Sequence, residues 1–294
     1  MPRASRSPKA TPSSSLSSSG PEPPSSAEEA EGVAGGGTIL LDEPAPGVAR
    51  LTISNPRKRG ALDHATLDGI AQSLPELDHR CVVLTGSHGM FSAGYDIGDI
   101  PDDVFAVEAE KLVAHPFTAA LEALEAYPYP VLAALPGHAI GGGLELALAC
   151  DLRIAADGIK LGMPPAKLGL VYSHTGVQKF LAAIGATRTR ELFLLGRNVD
   201  ARTALGWGLV NWVVAGEALA EDALAIAREL AGNAPLSLSG NKTVIRAVLA
   251  AGDRLDPHLE EELVALRRAC FTSEDFREGV RAFAEKRPPR WQGR

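Results

Sequence analysis

Two stretches of this sequence are too apolar to be left in water and too short for an interior helix. Cys81-Val82-Val83-Leu84-Thr85 and Val131-Leu132-Ala133-Ala134-Leu135 each run five residues without a charge. The first stops at Gly86 and the second at Pro136-Gly137. Uncharged runs of that length between breakers read as buried strands. Each leads through a glycine-rich turn toward a helix. After the first strand, residues 104–126 alternate at helical period up to Pro128 and Pro130. After the second, Gly141-Gly142-Gly143 opens a helix over Leu144–Cys150. Two strand–turn–helix passages of this kind constrain the chain to an α/β core.

The flanking residues extend that pattern. Thr38–Leu41 and Val48–Ile53 read as short strands joined by a turn at Pro44–Gly47, and Asn55-Pro56 ends the second. His64–Leu74 has helical spacing, with Asp63 as its cap. Beyond about Thr187 the chain reads as mostly helical, with Ala/Leu periodicity through 217–232, 241–251, 257–270 and 274–286. Upstream, the first 37 residues hold ten Ser, six Pro and five Gly, and almost no large apolar side chain. Such a segment buries too little surface to offset the entropy of ordering. The expected division is a disordered tail over 1–37, a core over 38–230 and a helical region over 231–294.

Composition narrows the function. With 36 acidic against 29 basic residues the net charge is −7, which argues against nucleic acid and anionic membrane surfaces as partners. The most apolar long stretch, Val131–Cys150, carries Pro136, His138 and Glu145 and does not read as a membrane span. Cys81, Cys150 and Cys270 form no C-x-x-C pair, so neither a disulfide framework nor a zinc site is expected. The seven histidines are scattered without metal-ligand spacing. These features suggest a cytoplasmic protein.

Both turns suit backbone chemistry. Glycines before a helix let N–H groups approach a ligand closely, and the helix N-terminus adds partial positive charge. Two such N–H groups facing one another would make an oxyanion hole. Neither turn matches G-x-G-x-x-G or G-x-x-x-x-G-K-[ST], so nucleotide binding there has no support. Glu145 lies one turn into the helix among Leu144, Leu146, Ala147 and Leu148. A carboxylate in that setting is either bonded to the helix start or placed for acid/base work.

Taken together, these segments resemble the crotonase (enoyl-CoA hydratase/isomerase) superfamily. The matches are Asn55-Pro56…Ala61-Leu62, Phe91-Ser92-Ala93-Gly94-Tyr95-Asp96-Ile97, Ile140-Gly141-Gly142-Gly143-Leu144-Glu145-Leu146-Ala147, Cys150-Asp151-Leu152-Arg153-Ile154-Ala155, Ala204…Gly208-Leu209-Val210 and Phe283…Glu285-Lys286-Arg287. The resemblance implies a ββα spiral core with a C-terminal helical region, assembled as a trimer or a dimer of trimers. It implies an acyl-CoA substrate, with coenzyme A as part of the thioester and no tightly bound cofactor or metal. The amides of Tyr95 and Gly142 would hold the thioester enolate, and Glu145 would be the first of the two glutamates that hydratases use on water. Arg57, Lys58, Ala93, Asp96 and Ile97 would line the coenzyme A path. Phe283 and Lys286 would close over it, often from a neighbouring subunit.

One position departs from the hydratase pattern. In Gly162-Met163-Pro164-Pro165-Ala166-Lys167-Leu168-Gly169 the second glutamate is replaced by Pro165, which carries no titratable group. The same block with Tyr172, and Ala93-Gly94-x-Asp96-Ile97 upstream, resembles the methylmalonyl-CoA decarboxylase branch. There a tyrosine at the Tyr172 position orients the departing carboxylate, and a histidine stands where this chain has Tyr95. Three expectations follow: a single-glutamate hydratase, a malonyl-type acyl-CoA decarboxylase, or a catalytically silent acyl-CoA-binding homologue. The first leads because Glu145 is retained.

Overall fold

The computed structural model describes residues 36–96, 101, 103–233, 235–251, 261, 265, 268, 271–287 and 290. The expected tail falls outside this set as far as residue 35. Gly37 is buried, and its N–H donates to Asp63 at 2.6 Å.

The chain opens with the hairpin β1 (Thr38–Ala45) and β2 (Val48–Ser54), turning at Pro46-Gly47. Helix α1 (His64–Ser73) follows, capped as expected by the Asp63 side chain on the Thr66 N–H. Strand β3 (Cys81–Gly86) is the first apolar run. The helical stretch after it divides into α2 (Phe105–Leu112), a π-helical turn at Val113–Phe117 containing Pro116, and α3 (Thr118–Ala126). Pro116 has no N–H for the regular ladder, a local reason for the irregular turn. Strands β4 (Val131–Leu135) and β5 (Ala139–Ile140) lead into α4 (Gly142–Ala149), which starts two residues earlier than the sequence predicts.

Strands β6 (Leu152–Ala156) and β7 (Lys160–Gly162) precede α5 (His174–Leu195). This helix begins well before Thr187 and is kinked at Gly185, whose φ of 69° breaks the helical path. Then come β8 (Val199–Asp200), α6 (Ala201–Trp207), β9 (Trp212–Val214), α7 (Leu219–Gly232), α8 (Pro235–Ala251) and α9 (Glu274–Ala284).

Two sheets result. The larger runs β1-β2-β3-β4-β6-β9, antiparallel at the hairpin and parallel from β2 onward; the smaller runs β5-β7-β8. The pairs β4–β5 and β6–β7 each send one strand to each sheet before a helix, which is the ββα spiral. Bridges Ser92↔Ala139 and Leu62↔Tyr95 carry the smaller layer back toward the N-terminus. The interior strands β3 and β4 are buried from Cys81 to Leu84 and from Val131 to Leu135. Parallel strands covered on both faces need this continuous apolar sequence rather than alternation. Strand β1, at the edge, leaves Leu40 and Leu41 exposed. Among the described residues no helix is long and apolar enough to cross a membrane.

Candidate active site

The two glycine-rich turns lie side by side. The N–H groups of Phe91 and Ser92 donate to the His138 carbonyl at 3.3 and 3.1 Å, and Ile140 N–H returns to the Ser92 carbonyl at 3.0 Å. Gly94 has φ 98°, and a Cβ there would stand 2.9 Å from the Ile140 carbonyl oxygen and 3.5 Å from the Gly142 nitrogen. Only glycine meets both conditions. The next residue, Tyr95, lays its ring on the Gly142 backbone, where a Cβ would meet a ring carbon at 2.7 Å. Gly142 is the first residue of α4, following the Gly141 cap, so helical geometry gives its N–H no acceptor within the helix. Tyr95 and Gly142, 47 positions apart by number, are thus in contact at the positive end of α4.

Glu145 sits one turn further along α4 and is 1 % exposed. Its partner comes from a distant segment. Tyr172 Oη donates to Glu145 Oε2 at 2.5 Å, and Tyr95 Oη lies 3.3 Å from Tyr172 Oη. Burial, with the Glu145 charge and then Tyr95 adding to it, holds the Tyr172 phenol well above its ordinary value, so it stays protonated. Tyr172 immediately precedes Ser173, the cap of α5, whose side chain accepts from Gly176 N–H at 3.1 Å. A Cβ on Gly176 would meet the Tyr172 ring at 2.5 Å and Glu145 Oε1 at 2.9 Å. The first turn of α5 approaches the carboxylate this closely because position 176 has no side chain. Phe117 meets the Tyr95 ring edge-on at 4.8 Å, and Phe193 meets Tyr172 at 5.7 Å. The carboxylate therefore stands in an aromatic, water-poor wall.

Other expected residues gather to one side. Lys58, at the end of the short turn Pro56–Lys58, reaches Asp96 with Nζ 2.8 Å from Oδ2. Ala93 N–H donates to the Arg59 carbonyl at 3.1 Å, which brings the Arg57–Arg59 loop against Ala93–Asp96. Arg57 is exposed there, and Ile97 lies outside the described residues. Phe283 and Lys286 stand at the end of α9, both exposed, Phe283 at 76 %. Pro165 is buried at the start of the turn Pro165–Lys167, and its carbonyl accepts from Leu168 and Leu170 at 3.0 and 2.9 Å. Its part is to shape that turn. Among the described residues no group of three or more His, Cys, Asp or Glu is placed to hold a metal ion.

Sequence reasoning missed Gly176, Ser173, Phe117 and Phe193. Ser173 carried a usable signal, a serine directly before a helix-forming stretch. Gly176 carried none, because its importance is only what a side chain would strike.

Comparison with known proteins shows the family and the fold. Residues 43–294 match the family described as enoyl-CoA hydratase/isomerase. A probable enoyl-CoA hydratase of Mycobacterium bovis is 35 % identical over 264 residues, covering 87 % of this chain and 98 % of that protein. The carnitinyl-CoA dehydratase of Citrobacter koseri is 34 % identical over 263 residues, covering 84 % and 95 %. Among solved structures, a methylmalonyl-CoA decarboxylase in complex with 2-nitronate-propionyl-CoA superposes with a TM-score of 0.79 at 28 % identity, covering 87 % of this chain and 99 % of that one.

Proposed function

Because the chain belongs to the enoyl-CoA hydratase/isomerase family, we propose that it adds water to, or eliminates it from, a 2-enoyl-CoA thioester, with Glu145 as its single acid/base group. The observation that carries this reading is the buried Glu145 carboxylate, one helical turn beyond the Gly142 amide and hydrogen-bonded to Tyr172. In the addition, water oxygen bonds to C3 of the enoyl group while Glu145 takes the water's proton. The C2–C3 π electrons move to the thioester, whose oxygen becomes an enolate. The amides of Tyr95 and Gly142 stabilise that charge, and Glu145 then returns the proton to C2. Preorganised N–H donors in a dry site are worth far more to such charge than water is. The one carboxylate serves as base and then as acid, so Pro165 leaves no step without a proton carrier.

Coenzyme A is part of the substrate in this reading, with no tightly bound cofactor. Arg57, with the Lys58–Asp96 pair and Ala93, lies along its path. The exposed Phe283 and Lys286 of α9 close over a neighbouring subunit's ligand in a trimer or a dimer of trimers. The acidic composition of the chain, with Cys81 and Cys150 as free thiols, suits a cytoplasmic enzyme.

A second reading, decarboxylation of a malonyl-type acyl-CoA, is favoured by the likeness to the methylmalonyl-CoA decarboxylase structure. It would use the same oxyanion hole, and Tyr172 to orient the carboxylate. Here the Tyr172 hydroxyl is already bonded to Glu145, which favours hydration. The two separate in one experiment, in which purified protein is given crotonyl-CoA and methylmalonyl-CoA and followed by mass spectrometry. Water addition to crotonyl-CoA is expected. Carbon dioxide loss from methylmalonyl-CoA without hydration would establish the second reading.

A further inference from the structure

We propose that Tyr95 and Tyr172 form a directed hydrogen-bond chain that positions Glu145 for proton transfer. The inference rests on the acid/base reading of Glu145. It concerns the side chain of Tyr95, not its amide, and it gives Tyr172 a positioning role in hydration.

The direction follows from counting protons. A phenol has one, and an ionised carboxylate can only accept. Tyr172 gives its proton to Glu145 Oε2 at 2.5 Å. At the 3.3 Å contact with Tyr95 it must therefore accept, and Tyr95 donates. The order is Tyr95 to Tyr172 to Glu145. Donation from Tyr95 makes Tyr172 a stronger donor in turn, as chains of hydrogen bonds in a low-dielectric site do.

The backbone supports the chain at both ends. Tyr95 is held by the Gly94–Ile140 approach, by its ring on Gly142 and by the edge of Phe117. Tyr172 is held by Phe193 and by the bare Cα of Gly176. Each ring has little room to turn, so the carboxylate at the end has one orientation to adopt. Tyr95 consequently links the oxyanion-hole turn to the acid/base group through a single residue.

The test measures hydration of crotonyl-CoA and longer straight-chain 2-enoyl-CoA esters by the full chain and its variants. Tyr172→Phe is expected to lower kcat roughly 10- to 100-fold, as loss of a hydrogen bond to a charged group does, with KM unchanged. Tyr95→Phe keeps the amide and is expected to lower kcat roughly 2- to 10-fold. Because the chain runs from Tyr95 through Tyr172 to Glu145, Tyr95→Phe/Tyr172→Phe should be no slower than Tyr172→Phe alone. Full kcat in Tyr172→Phe, a loss confined to KM, or multiplying losses in the double variant would overturn the proposal. Should Tyr172→Phe fail to fold, Tyr95→Phe decides, and full kcat there overturns it equally. Glu145→Gln, run alongside, keeps the two readings apart. Undiminished turnover in Glu145→Gln overturns the acid/base reading itself, whereas its loss beside full turnover in Tyr172→Phe overturns only the chain.

Discussion

Among the described residues two side chains that would carry full charge are buried, Glu145 and Arg153, and their surroundings differ in kind. Arg153 Nε donates to the Leu209 carbonyl and Nη1 to the Cys150 carbonyl, both at 2.9 Å. Its backbone N–H donates to Asn211 Oδ1 at 2.8 Å, and Asn211 N–H donates back to its carbonyl at 2.8 Å. Those acceptors are backbone and amide, which do not titrate. Burial pulls the guanidinium below its ordinary value, with the nearby Cys150 and Asp151 opposing it, yet none of its hydrogen-bond acceptors can exchange a proton. Its effect is to tie the end of α4 to the segment entering β9. Glu145 is bonded instead to a phenol, which is bonded to a second phenol. A buried charge met by fixed carbonyls is scaffold, and one met by titratable hydroxyls beside helix-end amides is suited to chemistry.

That contrast can be broken by exchanging stability for activity at the two sites. The largest effect is expected from Glu145→Gln. It keeps the side-chain shape and should lower hydration roughly 10²–10⁴-fold, with an unchanged melting temperature and unchanged affinity for the CoA ester. Unfolding measurements on Arg153→Leu should show the converse. Two carbonyls lose their donor, at roughly 1–3 kcal/mol each, so destabilisation of about 2–6 kcal/mol is expected with the catalytic pH profile of the folded fraction intact. An Arg153 variant of normal stability but lost turnover would erase the distinction.

Gly176→Ala sharpens the comparison from the other side. A methyl group there presses on the Tyr172 ring and on Glu145 Oε1, and off-rotamer displacement costs roughly 1–3 kcal/mol. A fall in kcat of roughly tenfold or more should accompany it, and an alanine variant with wild-type kcat would show that the close approach has no catalytic consequence.

Smaller effects belong to groups outside both clusters. Burial, reinforced by the nearby Asp151, pushes the Cys81 and Cys150 thiols up to about 12. Neither should be alkylated by iodoacetamide at pH 8 in the native protein, a point that peptide mapping checks directly. The pair formed by Glu278 of α9 and Arg287 just beyond it provides a counterpart nearer the surface. Bonds from Arg287, then from the Arg290 N–H, hold the Glu278 carboxyl at about 2, below its ordinary 4.5. A carboxyl lowered on folding adds stability above the unfolded value and loses it as pH falls toward the folded one. Amide exchange along α9 should therefore rise between pH 4.5 and pH 2, and Glu278→Gln should flatten that rise. Screening by water keeps this effect the smallest of the set.

Much of the scaffold was readable from residue pattern, because local rules act over a few positions. The unbroken apolar runs of β3 and β4, the Asp63 cap on α1 and the glycines opening α4 each announced themselves. The start of α5 carried only the Ser173 cap as a signal. Tyr172, Ser173 and His174 follow a Gly-Leu-Val stretch with no apolar period to count, and Gly185 interrupts the period further on. Strands β7, β8 and β9 are two or three residues long, too short to carry any alternation. They exist because neighbouring strands supply their hydrogen bonds.

The candidate site divides along the same line. Glu145 could be singled out from its own helix, since a lone acid among leucines and alanines is conspicuous at any level. Pro165 could be seen to lack the chemistry of a glutamate by its identity alone. The partnership of Tyr172 with Glu145, 27 positions apart, depends on how α5 docks against α4, and a hydroxyl's partner cannot be read from neighbours it does not touch. Residue order determined which groups this chain can offer, because strand runs, caps and helix starts are set by adjacent side chains. Tertiary packing alone decided which of them meet, because hydrogen bonds at 2.5–3.3 Å form only where bare glycine backbones let two distant turns and a helix end come together.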